Sequence, residues 1–263
     1  MAQHPPMRFG FRRFSFSGFP KHQVLPAFLR LRASDPTDGL TGMRLARKNP
    51  LIQFVARFVS FLCFVSLGAL AEEVRVNLAD GFDFPVGKPN ADGYYKSRGL
   101  RLRPPQHFGE DWNGRGGGNS DLGDPVYAIA DGVVTLAADV KTGWGNVVLT
   151  RHAYRDPKSG QIKYIDTLNG HLDKIMVKQG ASIKRGQQIG TIGTNYGMYP
   201  AHLHFEIRHD ITIGMMRHSA PADMIHWADP TQFINQYRKL NREWRPVPVP
   251  TGTYQDYNGV KGL

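Results

Sequence analysis

The sequence predicts a mainly β domain closed by a short C-terminal helix, and three observations carry that prediction. Short apolar runs separated by turn residues fill the stretch from Pro125 to Arg208, the pattern of a strand-rich domain. Residues 202–208, HLHFEIR, alternate polar and apolar without a break, which is the two-residue period of a strand. Asp229-Pro230 precedes Phe233, Ile234, Tyr237 and Leu240 at helical spacing, a capped start followed by a buried stripe.

The composition agrees with a folded domain and excludes several functions. The chain has 263 residues, 41% of them hydrophobic and 11% aromatic, enough to bury a core and too apolar for wholesale disorder. Its single cysteine, Cys63, excludes a disulfide framework and any multi-cysteine zinc or iron–sulfur site. The net charge of +11 invites a nucleic-acid partner, but the charge sits at the front. Residues 1–71 hold 10 Lys and Arg against 2 Asp and Glu, and the remaining 192 hold 23 against 20. With no basic block in that larger part, a nucleic-acid partner is not expected.

The elements follow in order. Residues 1–42 resemble neither a signal nor a domain, so they read as a non-native upstream extension or a disordered basic segment, with translation beginning at Met43. Residues 43–71 read as a signal peptide. Arg44, Arg47, Lys48 and Arg57 precede the apolar run FVSFLCFVSLGAL, and Ala69-Leu70-Ala71 offers a cleavage site after Ala71. The run is too short for a comfortable membrane span, so a membrane is involved only if the signal stays uncleaved. Cys63 lies inside that run, after Ser60-Phe61-Leu62 and without the small residue a lipid-modified cysteine requires. The expected destination is the periplasm, the cell envelope or the medium.

Residues 72–104 are an extended lead-in rich in Gly, Pro and Asp, with FDFPVG its one compact apolar piece. Within 105–212, PVYAIA and VVTLA flank Asp131-Gly132, a hairpin signal. The runs GNVVLT, IKYIDTL, KIMV and QIGTIG follow as strands. Glycines 180, 186, 190 and 193 read as turn residues. Residues 213–263 hold the helix and a tail expected to be irregular. No phosphate-cradling glycine motif is present, since Gly114–Gly118 follows no strand that would make it a dinucleotide loop.

Three clusters carry chemistry. In HLHFEIR, Leu203, Phe205 and Ile207 point one way while His202, His204, Glu206 and Arg208 point the other. With the apolar face on the core, the histidines stand together on a face that in most sheets is simply solvated. The second cluster, His107-Phe108-Gly109-Glu110-Asp111, sets an imidazole and a carboxylate four residues apart in what reads as a loop. His107 and Asp111 can chelate one cation, and His204 can complete the set. Two histidines and one carboxylate leave a fourth position for water, as catalytic zinc sites do. The third element is His171 in NGHLD, which alone would read as a packed or surface residue.

HFGED, GDPVYAIADG, GHLD, VKQGASIKRGQQIGTIG and HLHFEIR together resemble the lysostaphin-type, LytM-like zinc metallopeptidases, in the right order over roughly residues 80–210. The resemblance implies an antiparallel β fold, the duplicated hybrid motif, whose groove holds one Zn²⁺ and accepts peptidoglycan peptides. It makes His107, Asp111 and His204 the metal ligands and His171 and His202 the catalytic histidines, with zinc-activated water as the nucleophile. Which of the two is the base stays open, with His171 preferred because His202 is held two residues from a ligand. Glu206 receives no role from the resemblance and reads as a solvated or ligand-supporting residue. His152, His209, His218 and His226 match nothing and read as structural. Two segments depart from the common pattern: the Gly-rich NGRGGGNSDL after Asp111, and GMYPA where Ser/Thr-Gly-Pro is usual. Both are expected to line the groove and to affect which bond is cleaved.

Three other functions fit parts of the sequence. Some relatives of this fold have lost ligands and activate other wall hydrolases, whereas here all five residues are present. Two histidines and a carboxylate also hold Fe(II) in oxygenases, though usually with a different first spacing and no need of two further histidines. The glycine-punctuated VKQGASIKRGQQIG resembles biotin- and lipoyl-carrier hairpins, which work in the cytosol without such histidines.

Overall fold

A computed structural model describes residues 73–263. The upstream extension 1–42, the signal 43–71 with its cleavage after Ala71, and Cys63 all lie outside the described residues. Among the described residues, twelve strands run in chain order. They are β1 (Arg75–Val76), β2 (Tyr94–Arg98), β3 (Glu110–Gly114), β4 (Pro125–Tyr127), β5 (Gly132–Asp139) and β6 (Asn146–Arg155). After these come β7 (Ile162–Ile175), β8 (Ser182–Ile183), β9 (Gln188–Ile192), β10 (Leu203–Arg208), β11 (Trp227–Ala228) and β12 (Val247–Pro248). One α-helix among the described residues, α1 (Pro230–Gln236), lies between β11 and β12. No helix among them is long and apolar enough to cross a membrane.

All pairings between these strands are antiparallel. The main sheet runs β2-β3-β10-β7-β6-β5-β8, with β11 on β10, β9 on β7 and β4 on β9; β1 and β12 form a separate ribbon. The mainly β, antiparallel architecture is the expected one.

Residue alternation explains why the sheet is buried on both faces. Along β6, Val148 enters the main core with Phe82, Ile165, Phe205 and Phe233. Its neighbours Val147 and Leu149 face a second cluster closed by Met215, Tyr254 and Tyr257. The lead-in supplies Phe82, Phe84 and Val86 to the main core, each fully buried aromatic or aliphatic side chain stabilising by about 1.5–3 kcal/mol. The tail is mostly irregular, as its prolines predict, yet it is well packed. Val247 and Val249 join Val76 and Val133 in a third cluster, and the Tyr254 hydroxyl donates to Asp166 (2.6 Å).

Several expectations need correction. PVYAIA and VVTLA are not a hairpin, because β4 pairs with β9 while β5 pairs with β6 and β8. Gly132 serves close approach instead: a Cβ there would lie 2.5 Å from the Arg151 carbonyl oxygen and 2.8 Å from the His152 ring. Of the four glycines read as turns, Gly180 and Gly186 have positive φ. Gly190 and Gly193 instead let β9 pass close to β7, where a Cβ would meet the Lys174 oxygen at 2.7 Å and the Asp173 nitrogen at 2.4 Å. IKYIDTL and the start of KIMV belong to one long strand, β7, which also contains His171.

The C-terminal helix forms where its cap predicts. The Asp229 carboxylate accepts from the Gln232 N–H (2.9 Å), and Phe233 and Ile234 are buried. It ends at Gln236, short of Leu240, whose N–H donates to the Asp80 carbonyl beyond the helix.

Candidate metal centre and its two histidines

Three adjacent strands build the site. β10 pairs with β3 so that His204 lies directly opposite Asp111, and on its other side with β7 so that His204 lies opposite Gly170. His171 follows Gly170 on β7, and His202 immediately precedes β10. His107 is carried by a bridge to Arg101, closed by main-chain hydrogen bonds of 2.7 and 2.8 Å. Asp111 thus sits on a strand, where a loop was expected: Glu110 and Trp112 point inward and tie β3 to the core. Gly109 is required between His107 and Asp111, because a Cβ would lie 2.2 Å from the Phe205 oxygen and 2.8 Å from Glu206 Cγ.

His107 Nε2, Asp111 Oδ1 and His204 Nδ1 converge, with separations of 2.9, 2.9 and 3.1 Å. Each imidazole is oriented from its other nitrogen. His107 Nδ1–H donates to the Gly99 carbonyl (2.9 Å), and His204 Nε2–H donates to Glu206 (2.9 Å). With those protons outward, two nitrogen lone pairs and a carboxylate oxygen meet at one point. Such a set cannot satisfy itself and calls for a cation, and nitrogen and oxygen donors of this kind suit Zn²⁺. These three are the residues among those described that can hold a metal together.

The electrostatics carry the same demand for positive charge. Burial pushes Asp111 up, but hydrogen bonds to His107 and His204 hold its carboxyl well below the usual carboxylate range. Burial pulls His204 down, but its bonds to Asp111 and Glu206 raise it to about 9.

His171 and His202 flank this cluster. Their rings are 4.9 Å apart, and the His171 ring is 5.7 Å from that of His204. His171 Nδ1 bonds the Trp144 carbonyl (3.2 Å), and His202 Nδ1 bonds the Pro200 carbonyl (2.8 Å). His202 Nε2 lies 3.9 Å from Asp111 Oδ1. His171 adopts φ +61° at a bulge of β7, a left-handed conformation uncommon for residues other than glycine. Burial and the charges of His204 and His202 lower it to about 3, so it is neutral at physiological pH.

All five residues line one cavity of about 820 Å³. Its walls also include Arg98, Trp144, Tyr199, Pro200 and Arg217. Trp144 was not singled out in the sequence; it stacks on His171 (6.1 Å, 24°) and meets His204 edge-on (5.4 Å). Its one sequence signal is an aromatic residue set between two glycines, Gly143 and Gly145. Tyr199 and Pro200 of GMYPA line the cavity as expected, but the Gly-rich stretch does not. That stretch instead anchors the residue before His202: Ala201 N–H donates to Asn119 (2.8 Å) and Asn113 donates to the Ala201 carbonyl (3.0 Å).

The polar face of β10 is not solvated. Glu206 and Arg208 are wholly buried, joined to each other and to His204. Of the histidines read as structural, His152 is fully buried and His218 lies at the cavity wall.

Residues 107–217 match the model of Peptidase family M23. Peptidoglycan DD-endopeptidase ShyA of Vibrio cholerae is 31% identical over 123 residues, covering 46% of this chain and 26% of that protein. Lipoprotein NlpD of Yersinia enterocolitica is 33% identical over 87 residues, covering 33% of this chain and 79% of that protein. Murein hydrolase activator NlpD of Salmonella dublin is 30% identical over 106 residues, covering 38% of this chain and 26% of that protein. The chain therefore spans about a quarter of the length of the first and third of these relatives.

Proposed function

This chain belongs to peptidase family M23, and from that premise we propose that it is an exported zinc metalloendopeptidase hydrolysing peptide bonds in peptidoglycan crosslinks or stem peptides. The observation that carries the reading is the meeting of His107 Nε2, Asp111 Oδ1 and His204 Nδ1 beside two further histidines in one cavity. Zinc in such a set supplies Lewis acidity and lowers the pKa of water to about 7.

The chain's own residues do the rest. His107, Asp111 and His204 would hold the ion. His171, neutral and with Nδ1 committed to the Trp144 carbonyl, accepts the proton of the attacking water at Nε2. The same nitrogen can then hand that proton to the leaving nitrogen, as a general acid–base group does. His202, tethered through Nδ1 to Pro200, hydrogen-bonds the charge that develops on the scissile carbonyl oxygen. Arg98 and Arg217 add positive charge to the cavity, where Asp111 is the one lining carboxylate among the described residues. That charge balance suits a stem peptide carrying free carboxylates. The signal at residues 43–71 would deliver the protein to that substrate.

A second reading is an activator of another cell-wall hydrolase, favoured by the similarity to the NlpD proteins. The two separate in one assay. The purified zinc-loaded protein is incubated with isolated peptidoglycan, and released fragments are identified by mass spectrometry beside His204→Ala. New peptide termini that vanish in the variant establish the endopeptidase and name its bond. Absence of cleavage by the folded, zinc-loaded protein rejects it in favour of the activator.

A further inference from the structure

The buried charges behind His204 do not line the cavity, yet they form a directed chain along one face of β10. His204 Nε2 is 2.9 Å from Glu206 Oε1. The other carboxylate oxygen of Glu206 accepts from Arg208 Nε at 2.7 Å. The Arg208 guanidinium also donates to the Gly214 carbonyl and lies 5.2 Å from the Trp227 ring. Glu206 and Arg208 are both 0% exposed, so bulk water reaches neither partner. Room for the Glu206 side chain exists because residue 109 is glycine, where a Cβ would come within 2.8 Å of Glu206 Cγ.

We propose that Arg208, acting through Glu206, sets the tautomer of His204, so that the nitrogen facing Asp111 and His107 carries a lone pair and not a proton. The two are positioning residues. An ionised carboxylate only accepts hydrogen bonds, so a carboxylate at Glu206 admits only a protonated Nε2 and frees Nδ1 for the metal. Arg208 makes the carboxylate obligatory. Guanidinium is donor-only and claims an oxygen, so an amide in place of Glu206 gives its oxygen to Arg208 and turns its NH₂ toward His204. A buried donor there requires Nε2 to accept, which moves the ring proton to Nδ1 and blocks ligation.

The inference rests on His204 being a metal ligand, and the test separates the two. Zinc affinity of the full chain is measured by chelator competition for wild type, Glu206→Gln and the double variant Glu206→Gln/Arg208→Met. Folding is followed in parallel by circular dichroism. Glu206→Gln is expected to lose about 10- to 100-fold in zinc affinity, the range for disturbing a group behind a ligand. The double variant is expected to recover most of it, because the amide oxygen is released to accept from Nε2–H. Equal losses in both variants, or none in Glu206→Gln, overturn the proposal. Should the double variant not fold, ¹⁵N–¹H spectra of the His204 ring in Glu206→Gln decide: a proton on Nδ1 supports the proposal and one on Nε2 overturns it. Wild type that binds no zinc refutes the metal reading itself, whereas wild-type binding with an unchanged Glu206→Gln refutes only the control of the tautomer. A purely structural role for Glu206 lowers the melting temperature and leaves zinc affinity and tautomer where they were.

Discussion

The rings of His171 and His202 stand 4.9 Å apart at 61°, and each gives its Nδ1 to a main-chain carbonyl, Trp144 and Pro200 respectively. Both therefore direct Nε2 away from their anchors, and neither spends it on the protein among the hydrogen bonds of the described residues. Two histidines so tethered can exchange protons with a substrate without leaving their places. His171→Ala is expected to lower cleavage by about 10²- to 10⁴-fold, the usual worth of general acid–base groups, while zinc stays stoichiometric. Metal analysis of the purified variant checks this, and loss of zinc would overturn the assignment of His171 as a non-ligand.

Asp111→Ala and His204→Ala should each lose zinc and cleavage together. Asp111 contributes the one carboxylate oxygen of the set and His204 faces it across the β3–β10 ladder. Removing zinc from wild type with a chelator should likewise stop cleavage, and adding zinc back should restore it. Retention of activity in zinc-free protein would contradict the reading.

Gly109→Ala should be destabilising by about 1–3 kcal/mol, the cost of overpacking. The added methyl meets the Phe205 carbonyl oxygen at 2.2 Å, and that backbone atom belongs to the strand carrying His204. Zinc affinity should fall with stability, since the displacement reaches both β3 and β10. A urea titration with and without zinc measures both effects. A variant as stable as wild type would show that the strands relax more freely than their contacts indicate.

His152 predicts an acid sensitivity unrelated to the metal. It is fully buried, with Nδ1 bonded to the Asp131 carbonyl (2.9 Å) and Nε2 to Thr167 (3.2 Å). Burial lowers it to about 4, so the unfolded chain takes up the proton first as pH falls. Its contribution is intact above about pH 6.5 and is lost progressively as pH drops to about 4. The loss amounts to about 3 kcal/mol across that window, since a proton held by the unfolded chain alone costs the fold about 1.4 kcal/mol for each pH step. His152→Asn should flatten the dependence of the unfolding midpoint over the same range, and an unchanged slope would refute the assignment.

How much of this was legible beforehand can be argued from single residues. HLHFEIR read as a strand because the two-residue period is local, and β10 has the alternation expected, with Leu203, Phe205 and Ile207 in the core. The cap at Asp229 and the apolar FDFPVG piece were equally local. Asp131-Gly132 misled because a turn dipeptide says where the chain bends, not which strand it pairs with afterwards. Gly190 and Gly193 misled for the same reason: the crowding that excludes a side chain there comes from β7, some twenty residues away in sequence.

Composition and period by themselves determined that the domain is mainly β and that no cysteine chemistry operates in it, and the family resemblance marked which histidines and carboxylate belong together. These are properties of residue type and short-range spacing. Only the tertiary structure decided that Asp111 lies across a ladder from His204, that His171 stands in a left-handed bulge beside it, and that Glu206 and Arg208 are buried supports where a solvated face was the ordinary expectation. Strand register brings residues nearly a hundred positions apart within hydrogen-bond distance. Burial of the second face depends on a tail whose own sequence carries no period. Both are set by packing between distant segments, which no local pattern encodes.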